Sequence, residues 1–168
     1  MFTIERTKDE RMLEIMALYH QATLFMKELG NEEQWVAGYP SRELILKELK
    51  EGNHYSCFYE KQLVAAFSFL EGEDPTYQDI REGAWLNDEP YGVVHRLVSS
   101  GLIKGGASFC LEWAYKQCGN LRVDTHYKNI PMLRLLQKSG FTRCGIITIE
   151  DGTERIAFQK SLLALGKS

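Results

Sequence analysis

The amino-acid sequence predicts an α/β fold, and three observations lead to it. The first is one stretch, residues 121–141, which has the pattern of a short strand, a turn, a helix of two to three turns and a glycine stop. The second is the order of predicted elements: a strand, two helices, three strands, then helix, strand, helix and two strands. The third is the composition, 44% hydrophobic and 26% charged over 168 residues, which is typical of one globular domain, here residues 1–168.

The N-terminal part of the chain is predicted to be mostly helical. Residues 2–5 form a first strand, and residues 9–29 form a long amphipathic helix. The apolar stripe of this helix consists of Met12, Ile15, Met16, Leu18, Tyr19, Leu24, Phe25 and Leu29. Gly30 and Asn31 end this helix. Ser41 is a good N-cap for a second helix over residues 42–51.

Two antiparallel strands, residues 54–59 and 63–70, are followed by a connection without clear periodicity apart from a possible helical turn near residues 78–82. This connection, residues 71–90, contains seven acidic residues and a single arginine. Two interpretations stay open. The segment is either a solvated acidic loop or an acidic rim that draws a cationic amine toward a binding site.

The next element is a strand over residues 91–100, and after a short turn Gly105, Gly106 and Ala107 open a helix that runs to residue 117. Small residues at the start of a helix let a ligand approach the backbone, and the free N–H groups there attract phosphate. A glycine pair by itself is a weak signal, because glycines also serve tight turns and close packing.

The stretch over residues 121–141 carries the strongest local signals in the chain. Leu121 and Val123 alternate with polar residues, as in a strand with one buried side. Asn129 is a good N-cap, and Pro131 stands in the first turn, where its missing N–H costs nothing. Gly140 suits the left-handed position after the last turn. Residues 141–149 and 155–161 then form a hairpin around an Asp-Gly turn.

In this order the chain resembles the GNAT N-acetyltransferase superfamily, the acetyl-CoA-dependent acyltransferases. Residues 102–107 are similar to its pyrophosphate turn, Gln/Arg-x-x-Gly-x-Gly/Ala, and Asn129 and the Gly140-Phe141 pair follow at the family's spacing. The resemblance covers residues 91–147 and is closest to small bacterial-type members with a His-Arg-Leu strand and an Asp-Thr-His segment. It implies a single-domain GNAT-like fold with a mixed, twisted central sheet flanked by about four helices.

The resemblance also implies a cofactor, acetyl-CoA, with CoA as a product. Leu102 stands where the family has Gln or Arg, and Lys104 is the candidate for supplying the charge instead. The region between the first two helices often overhangs the acceptor in this family, so Trp35 and Tyr39 are either packing residues or walls of the acceptor site. The cofactor-binding residues that the resemblance implies are Leu97, Val98, Ser99, Lys104, Gly105, Gly106, Ala107, Ser108, Asn129 and Met132.

The expected reaction is transfer of an acetyl group to a primary amine of a small molecule or peptide, which needs a base for the ammonium. Three residues compete for this role. His95 lies on the cofactor-facing strand, and strand alternation would place Asp124 and His126 on one face. Each has a structural alternative: a strand histidine is often a satisfied structural residue, and Asp124 could pair with Arg96 or Arg122.

The sequence departs from the family at the residue that would donate a proton to the leaving thiolate. Many members have a tyrosine five residues before the Phe of Gly-Phe, and Leu136 stands there in this chain. Either Tyr127 donates or the thiolate leaves unassisted. The departure also allows a second function, a degenerate acyltransferase that acts as a CoA-binding or scaffold module. A third candidate is an acyltransferase that uses a longer acyl-CoA.

Composition argues against several other classes of protein. The formal net charge of -3 and the absence of a basic stripe argue against a nucleic-acid partner. No apolar run reaches the length of a membrane span, so no membrane partner is expected. The N-terminus has no signal-peptide layout, so we expect a cytoplasmic protein. We expect it to be a monomer or a homodimer. The four cysteines lack metal-ligand spacing, so no metal site is expected.

Overall fold

The structure is a computed structural model, and it describes residues 1–32, 34, 35 and 38–162. Within these residues, four α-helices and seven β-strands follow one another in the predicted order. The helices are α1 (Met12–Glu28), α2 (Arg42–Lys50), α3 (Gly106–Cys118) and α4 (Ile130–Lys138). The strands are β1 (Phe2–Arg6), β2 (His54–Tyr59), β3 (Gln62–Glu71), β4 (Gly92–Ser99), β5 (Asn120–Thr125), β6 (Thr142–Thr148) and β7 (Glu154–Ser161).

The strands form one seven-stranded, twisted sheet in the order β1-β2-β3-β4-β5-β7-β6. Most neighbours are antiparallel, among them β1 with β2, β2 with β3, and β7 with both β5 and β6. β4 and β5 are parallel, as expected for two strands joined through a helix. The predicted mixed sheet with about four helices is therefore confirmed.

The chain forms two compact units. The first comprises Met1–Phe69 and His95–Leu111. Its core packs α1 and α2 on the strands, because apolar residues recur at helical spacing on both helices. The buried residues of this core are Met12, Ile15, Leu18, Tyr19, Met26, Trp35, Ile45, Phe58, Leu63, Ala66 and Val98.

The second unit comprises Leu70–Val94 and Glu112–Ser168, of which the structure describes residues up to 162. A core cluster here contains Tyr77, Tyr91, Val93, Ile147 and Ala157. The segment before β4 packs closely on β6: a Cβ on Gly83 would lie 1.9 Å from the carbonyl oxygen of Cys144. β6 has an irregularity in its register between Arg143 and Gly145 at this point of contact.

The capping residues recognised in the sequence mark the ends of α2 and α4 as predicted. Asn129 caps α4 by accepting a hydrogen bond from the Met132 N–H at 3.3 Å, and the Phe141 N–H closes the far end by donating to the Leu136 carbonyl at 3.0 Å. Ser41 caps α2 in the same way, with the Leu44 N–H as donor at 3.1 Å. These caps confirm the predicted starts of both helices.

Two local predictions were wrong. The predicted apolar stripe of the first helix included Leu24 and Phe25 of α1 and Leu29 just after it, which the structure leaves 40–51% exposed. The helical turn expected near residues 78–82 is a 3-10 turn at Pro75–Tyr77 instead, because Asp74 accepts hydrogen bonds from both the backbone N–H and the hydroxyl of Thr76. None of the described helices is long and apolar enough to cross a membrane.

Candidate functional site

The start of α3 offers backbone N–H groups to a ligand. The Phe109 N–H is the donor to the Gly105 carbonyl at 2.9 Å, so the N–H groups of Gly106, Ala107 and Ser108 precede the hydrogen bonds of the helix. Gly105 has a φ of +96°, a conformation that favours glycine. Gly105 is exposed and Ala107 and Ser108 are half-buried, so this end of the helix is open to an anion.

The turn before α3 is held by serine hydroxyl groups. The Ser99 hydroxyl accepts from the Gly101 N–H at 3.3 Å, and the Ser100 hydroxyl accepts from the Leu102 N–H at 3.2 Å. The Leu102 side chain is 70% exposed, and Lys104 is exposed close to the helix start. No acidic residue stands in the first turn of α3, so the local charge favours a negatively charged group.

The backbone of β4 departs from regular strand geometry near the middle of the strand, at Arg96. In the described register it pairs with β5 at Gly92 and Val93, both in the second unit. Arg96 then takes a φ of +55°, which is uncommon for a residue with a side chain and marks local strain. Beyond it Leu97 is half-buried, Val98 is buried and Ser99 is exposed.

The strained Arg96 is held by a buried ion pair. Its guanidinium donates from Nη2 to the Glu48 carboxylate of α2 and from Nη1 to the phenol oxygen of Tyr39 at 3.1 Å. Burial by itself lowers the pKa of Arg96, but the neighbouring Glu48 and Tyr39 outweigh burial and the net direction is upward. The other Glu48 oxygen, Oε1, is buried without a hydrogen-bond partner among the described residues. Such a pair holds α2 and β4 together because separating it would leave a buried charge.

A second buried polar network lies beside this pair. His54 contacts the hydroxyl oxygen of Thr7 through Nδ1 at 2.6 Å and the phenol oxygen of Tyr19 through Nε2 at 2.9 Å. Thr7 in turn contacts the Ser56 hydroxyl at 2.7 Å. Burial, with a smaller contribution from Arg96, lowers the pKa of His54 to about 4. Burial raises the pKa of Tyr19, and Glu48 adds to the effect. Both groups are therefore neutral near pH 7.

A cleft of about 420 Å³ opens against Tyr19 and Tyr39 in the first unit. Its described lining comes from α1, from the connection after it and from the start of α2. Trp35 is buried and packs against Tyr19, with ring centroids 5.6 Å apart. The lining residues are Met16, Tyr19, His20, Thr23, Leu24, Lys27, Glu32, Trp35, Gly38, Tyr39, Pro40 and Arg42. Trp35 and Tyr39, the two aromatic residues singled out from the sequence, both belong to it.

Asp124, one of the three candidate bases, is engaged by a buried phenol. The Tyr77 hydroxyl donates to Asp124 Oδ2 at 2.6 Å. Burial raises the pKa of Tyr77, and the Asp124 carboxylate raises it further. Arg122, one predicted alternative partner of Asp124, lies over the rings of Trp85 and Tyr91 instead and donates to the Asn87 carbonyl at 2.8 Å.

His126 lies one residue beyond β5, which ends at Thr125, so the strand alternation that would pair it with Asp124 does not extend to it. Its side chain is 1% exposed and stacks on the Tyr127 ring at 4.6 Å. The Lys128 N–H donates to His126 Nδ1 at 3.1 Å, so this nitrogen carries no proton in that arrangement. His95, the third candidate, is half-buried on β4 and belongs to the first unit, whereas Asp124 and His126 belong to the second.

Solved structures that share this fold include acetyltransferases. A GNAT-family acetyltransferase from Streptococcus agalactiae has a TM-score of 0.88 and 28% identity, with 95% of each chain covered. A ribosomal-protein-alanine N-acetyltransferase from Brucella melitensis has a TM-score of 0.63 and 17% identity over 95% of this chain and 99% of that one. The NatC complex bound to Gag peptide and CoA has a TM-score of 0.64 and 13% identity over 96% of this chain and 98% of that chain. The chain is a member of the GNAT superfamily.

No family model and no curated protein sequence matches the chain. Membership in the GNAT superfamily therefore rests on the shape of the fold and on the 28% identity of the streptococcal acetyltransferase. These neighbours support an acyltransferase.

The residues around the start of α3 fit the cofactor that the GNAT fold implies. A diphosphate needs an open helix terminus, a small residue beside it and a nearby cation. Gly105, the first N–H groups of α3 and the exposed Lys104 provide these three features. The other predicted contacts lie apart in the sequence: Asn129, which caps α4, and Met132, which is half-buried on it, both belong to the second unit.

Leu136, where the chain departs from the family pattern, lies in the interior of the protein. Its side chain is fully buried, so the position where many GNAT members carry a tyrosine is part of the apolar interior. Tyr127, the other candidate for proton donor, is 58% exposed and stands just before α4. A hydrocarbon at position 136 cannot donate a proton, so only a residue elsewhere could serve as acid.

Sequence reasoning missed the buried polar residues of the first unit, Glu48, Tyr19 and His54. A signal was available for Glu48, because it stands one turn after Ile45 on the buried face of α2. A charged residue at such a position is rarely fully buried unless it is paired. The sequence could not name its partner.

Proposed function

We propose that this protein is an acetyl-CoA-dependent N-acetyltransferase that moves an acetyl group to a primary amine of a small molecule or peptide. The observation that carries the proposal is the start of α3, where Gly105 and the free N–H groups of the first turn meet an exposed lysine on a GNAT fold. CoA is bound by the NatC complex, whose fold this chain shares.

Each part of the cofactor site has its own task in this proposal. Gly105, Gly106, Ala107 and Ser108 would bind the diphosphate through their backbone, and Lys104 would add a positive charge. The cofactor supplies the activated acetyl thioester when it is bound. A backbone N–H of Leu97, Val98 or Ser99 would donate to the carbonyl oxygen, whose negative charge grows during acetyl transfer. Asn129 and Met132 remain candidates for contacts near the thiol.

We assign the role of base to His95 in the first place. It shares the first unit with the N-terminal part of α3 and with the aromatic cleft, whereas Asp124 and His126 belong to the second unit. The proton of the ammonium would pass to a ring nitrogen of His95, and the free amine would then attack the thioester carbonyl. Asp124 and His126 are the alternatives.

The test is calorimetry with acetyl-CoA on the full chain, followed by CoA release with a panel of amines. We expect Gly105→Glu to abolish cofactor binding, because a carboxylate would stand beside the diphosphate site. Gly101→Glu is the matched control, since Gly101 also has a positive φ and nothing lies within 4 Å of the added Cβ. Equal binding by wild type and Gly105→Glu would refute the site. In His95→Gln we expect a lower kcat and an altered pH profile, and an unchanged profile would remove His95 as base.

The second candidate function is a degenerate acyltransferase that binds CoA or acts as a scaffold. The observation that favours it is Leu136, which places a buried hydrocarbon where many GNAT enzymes have a proton donor. The same experiment separates the two candidates. Tight acetyl-CoA binding without CoA release across polyamines, amino acids, aminoglycosides and peptide N-termini would favour the binding module.

A further inference from the structure

The cleft of the first unit has the properties of a site for a small organic molecule. Its volume of about 420 Å³ is within the range of ligand pockets, and half of its twelve described lining residues have aromatic or aliphatic side chains. Trp35 and Tyr19 are buried and pack against each other, so they form a rigid apolar surface. A ligand with a flat or aliphatic body would bury its apolar surface there.

The charges on this cleft favour an anion. Lys27 near the end of α1 and Arg42 at the start of α2 both line it and are both exposed. Among the described lining residues Glu32 is the only acid, so two basic side chains line the cleft against one acidic side chain. Arg42 also stands at the N-terminal end of α2, where the helix dipole adds positive potential. A carboxylate on a ligand would gain charge-assisted hydrogen bonds from either cation.

The cleft is connected to β4 through its own wall. Tyr39 lines the cleft, and its phenol oxygen accepts a hydrogen bond from Arg96, which stands between His95 and Leu97. Tyr39 also packs on the core cluster that contains Val98. A molecule held in the cleft is thus one side chain away from the strand to which we assign the base and the acetyl group.

From these observations we infer that the acceptor is an amine with an apolar or aromatic body and an anionic group, and that Lys27 and Arg42 bind the anionic group. The inference rests on the proposed function and makes it more specific. The inferred acceptor carries an anionic group, whereas an acidic rim at residues 71–90 would select a cationic acceptor. The amine end would extend toward β4, and the anionic end would stay at the cleft mouth between α1 and α2.

Three amines of equal shape test this inference: para-aminomethylbenzoate, para-aminomethylbenzamide and para-xylylenediamine, which carry a negative, a neutral and a positive group opposite the reacting amine. We expect the wild-type kcat/KM for the benzoate to exceed that for the benzamide by about tenfold or more, the size of a charge-assisted contact. We expect the variants Lys27→Gln and Arg42→Gln to lose most of this ratio. The control is Lys50→Gln, an exposed cation at the other end of α2, which should keep the ratio.

A second readout keeps the inference separate from the proposed function. Calorimetry measures binding of para-aminomethylbenzoate to the full chain with and without CoA, and this binding should weaken in Arg42→Gln but not in Lys50→Gln. Equal binding of benzoate and benzamide, or preference for the diamine, would overturn the inference while leaving acetyl transfer intact. Absence of acetyl-CoA binding would overturn the proposed function, and the calorimetric comparison of the three amines would still decide what the cleft accepts.

Discussion

At the scale of single residues, burial decides which titratable groups can exchange protons. His54 is fully buried between Thr7 and Tyr19, and Tyr77 holds Asp124 through a buried phenol. These polar groups satisfy one another, so they add specificity to the packing without providing an accessible proton. His95 on β4 and Asp124 on β5 are both half-buried, whereas His54 is fully buried.

The low pKa of His54 predicts a loss of stability in mild acid. Its pKa falls from 6.5 to about 4 on folding, so between these two values the unfolded chain binds the proton and the folded chain does not. The stabilisation is complete above pH 6.5 and is lost progressively as the pH falls toward 4, by about 3 kcal/mol at most. Urea denaturation at several pH values measures this.

The matched variants for this prediction are His54→Gln and His20→Gln, the second at an exposed position of α1. Stability of His54→Gln should be lower at pH 7 and should depend less on pH between 6.5 and 4. His20→Gln should keep the wild-type dependence. The same acid dependence in wild type and His54→Gln would show that other groups cause it.

At the scale of secondary-structure elements, one ion pair joins α2 to β4. Glu48 and Arg96 are 48 residues apart in the sequence and both side chains are largely buried. The pair also fixes Tyr39, since the same guanidinium donates to its phenol. The positive φ of Arg96 is thus maintained by contacts from α2 and from the connection before it.

We expect Glu48→Gln to destabilise the protein by about 3 kcal/mol, because it leaves the Arg96 charge buried without its anion. The double variant Glu48→Leu, Arg96→Met should recover much of this loss, since it removes both charges. Glu51→Gln, which breaks the exposed pair with Lys47 at 3.9 Å, is the control and should cost less than about 1 kcal/mol. A loss in Glu48→Gln no larger than in the control would show that the pair is not structural.

At the scale of the whole molecule, charge is distributed unevenly. The formal net charge is -3, yet residues 71–90 contain seven acids, and the described lining of the cleft in the first unit has two basic residues and one acid. Six of the seven acids are exposed, and the half-buried Asp74 is committed to the 3-10 turn through Thr76. Both interpretations of the acidic segment, a solvated loop and an acidic rim, stay predictions.

Neutralising exposed acids decides between these interpretations. We expect the triple variant Glu73→Gln, Asp79→Asn, Glu82→Asn to keep the wild-type kcat/KM for all three test amines, because the cleft's own cations select the acceptor. Asparagine suits position 82, where φ is +56°. Assays at low salt are the most sensitive, since exposed charges act over only about 8–10 Å at physiological salt. A fall in kcat/KM confined to the diamine would support the acidic rim and contradict the anionic acceptor.

The sequence by itself determined the elements and the family. Local signals in the sequence mark the helix starts at Ser41 and Asn129, the helix end at Gly140 and the order of strand, turn and helix. Each of these signals depends only on residues that are close together in the sequence. The turn at Gly105 followed by Asn129 and Gly140-Phe141 indicated a GNAT member, which the fold confirms.

Only the tertiary structure decided which polar groups meet. Arg96 lies against Glu48 from α2, Asp124 accepts from Tyr77 in the acidic segment, and Arg122 is covered by Trp85 and Tyr91. Each of these contacts joins residues more than thirty positions apart, so no local pattern contains it. The physical reason is that a charge can be buried only where packing brings a partner to it, and packing is a property of the whole fold.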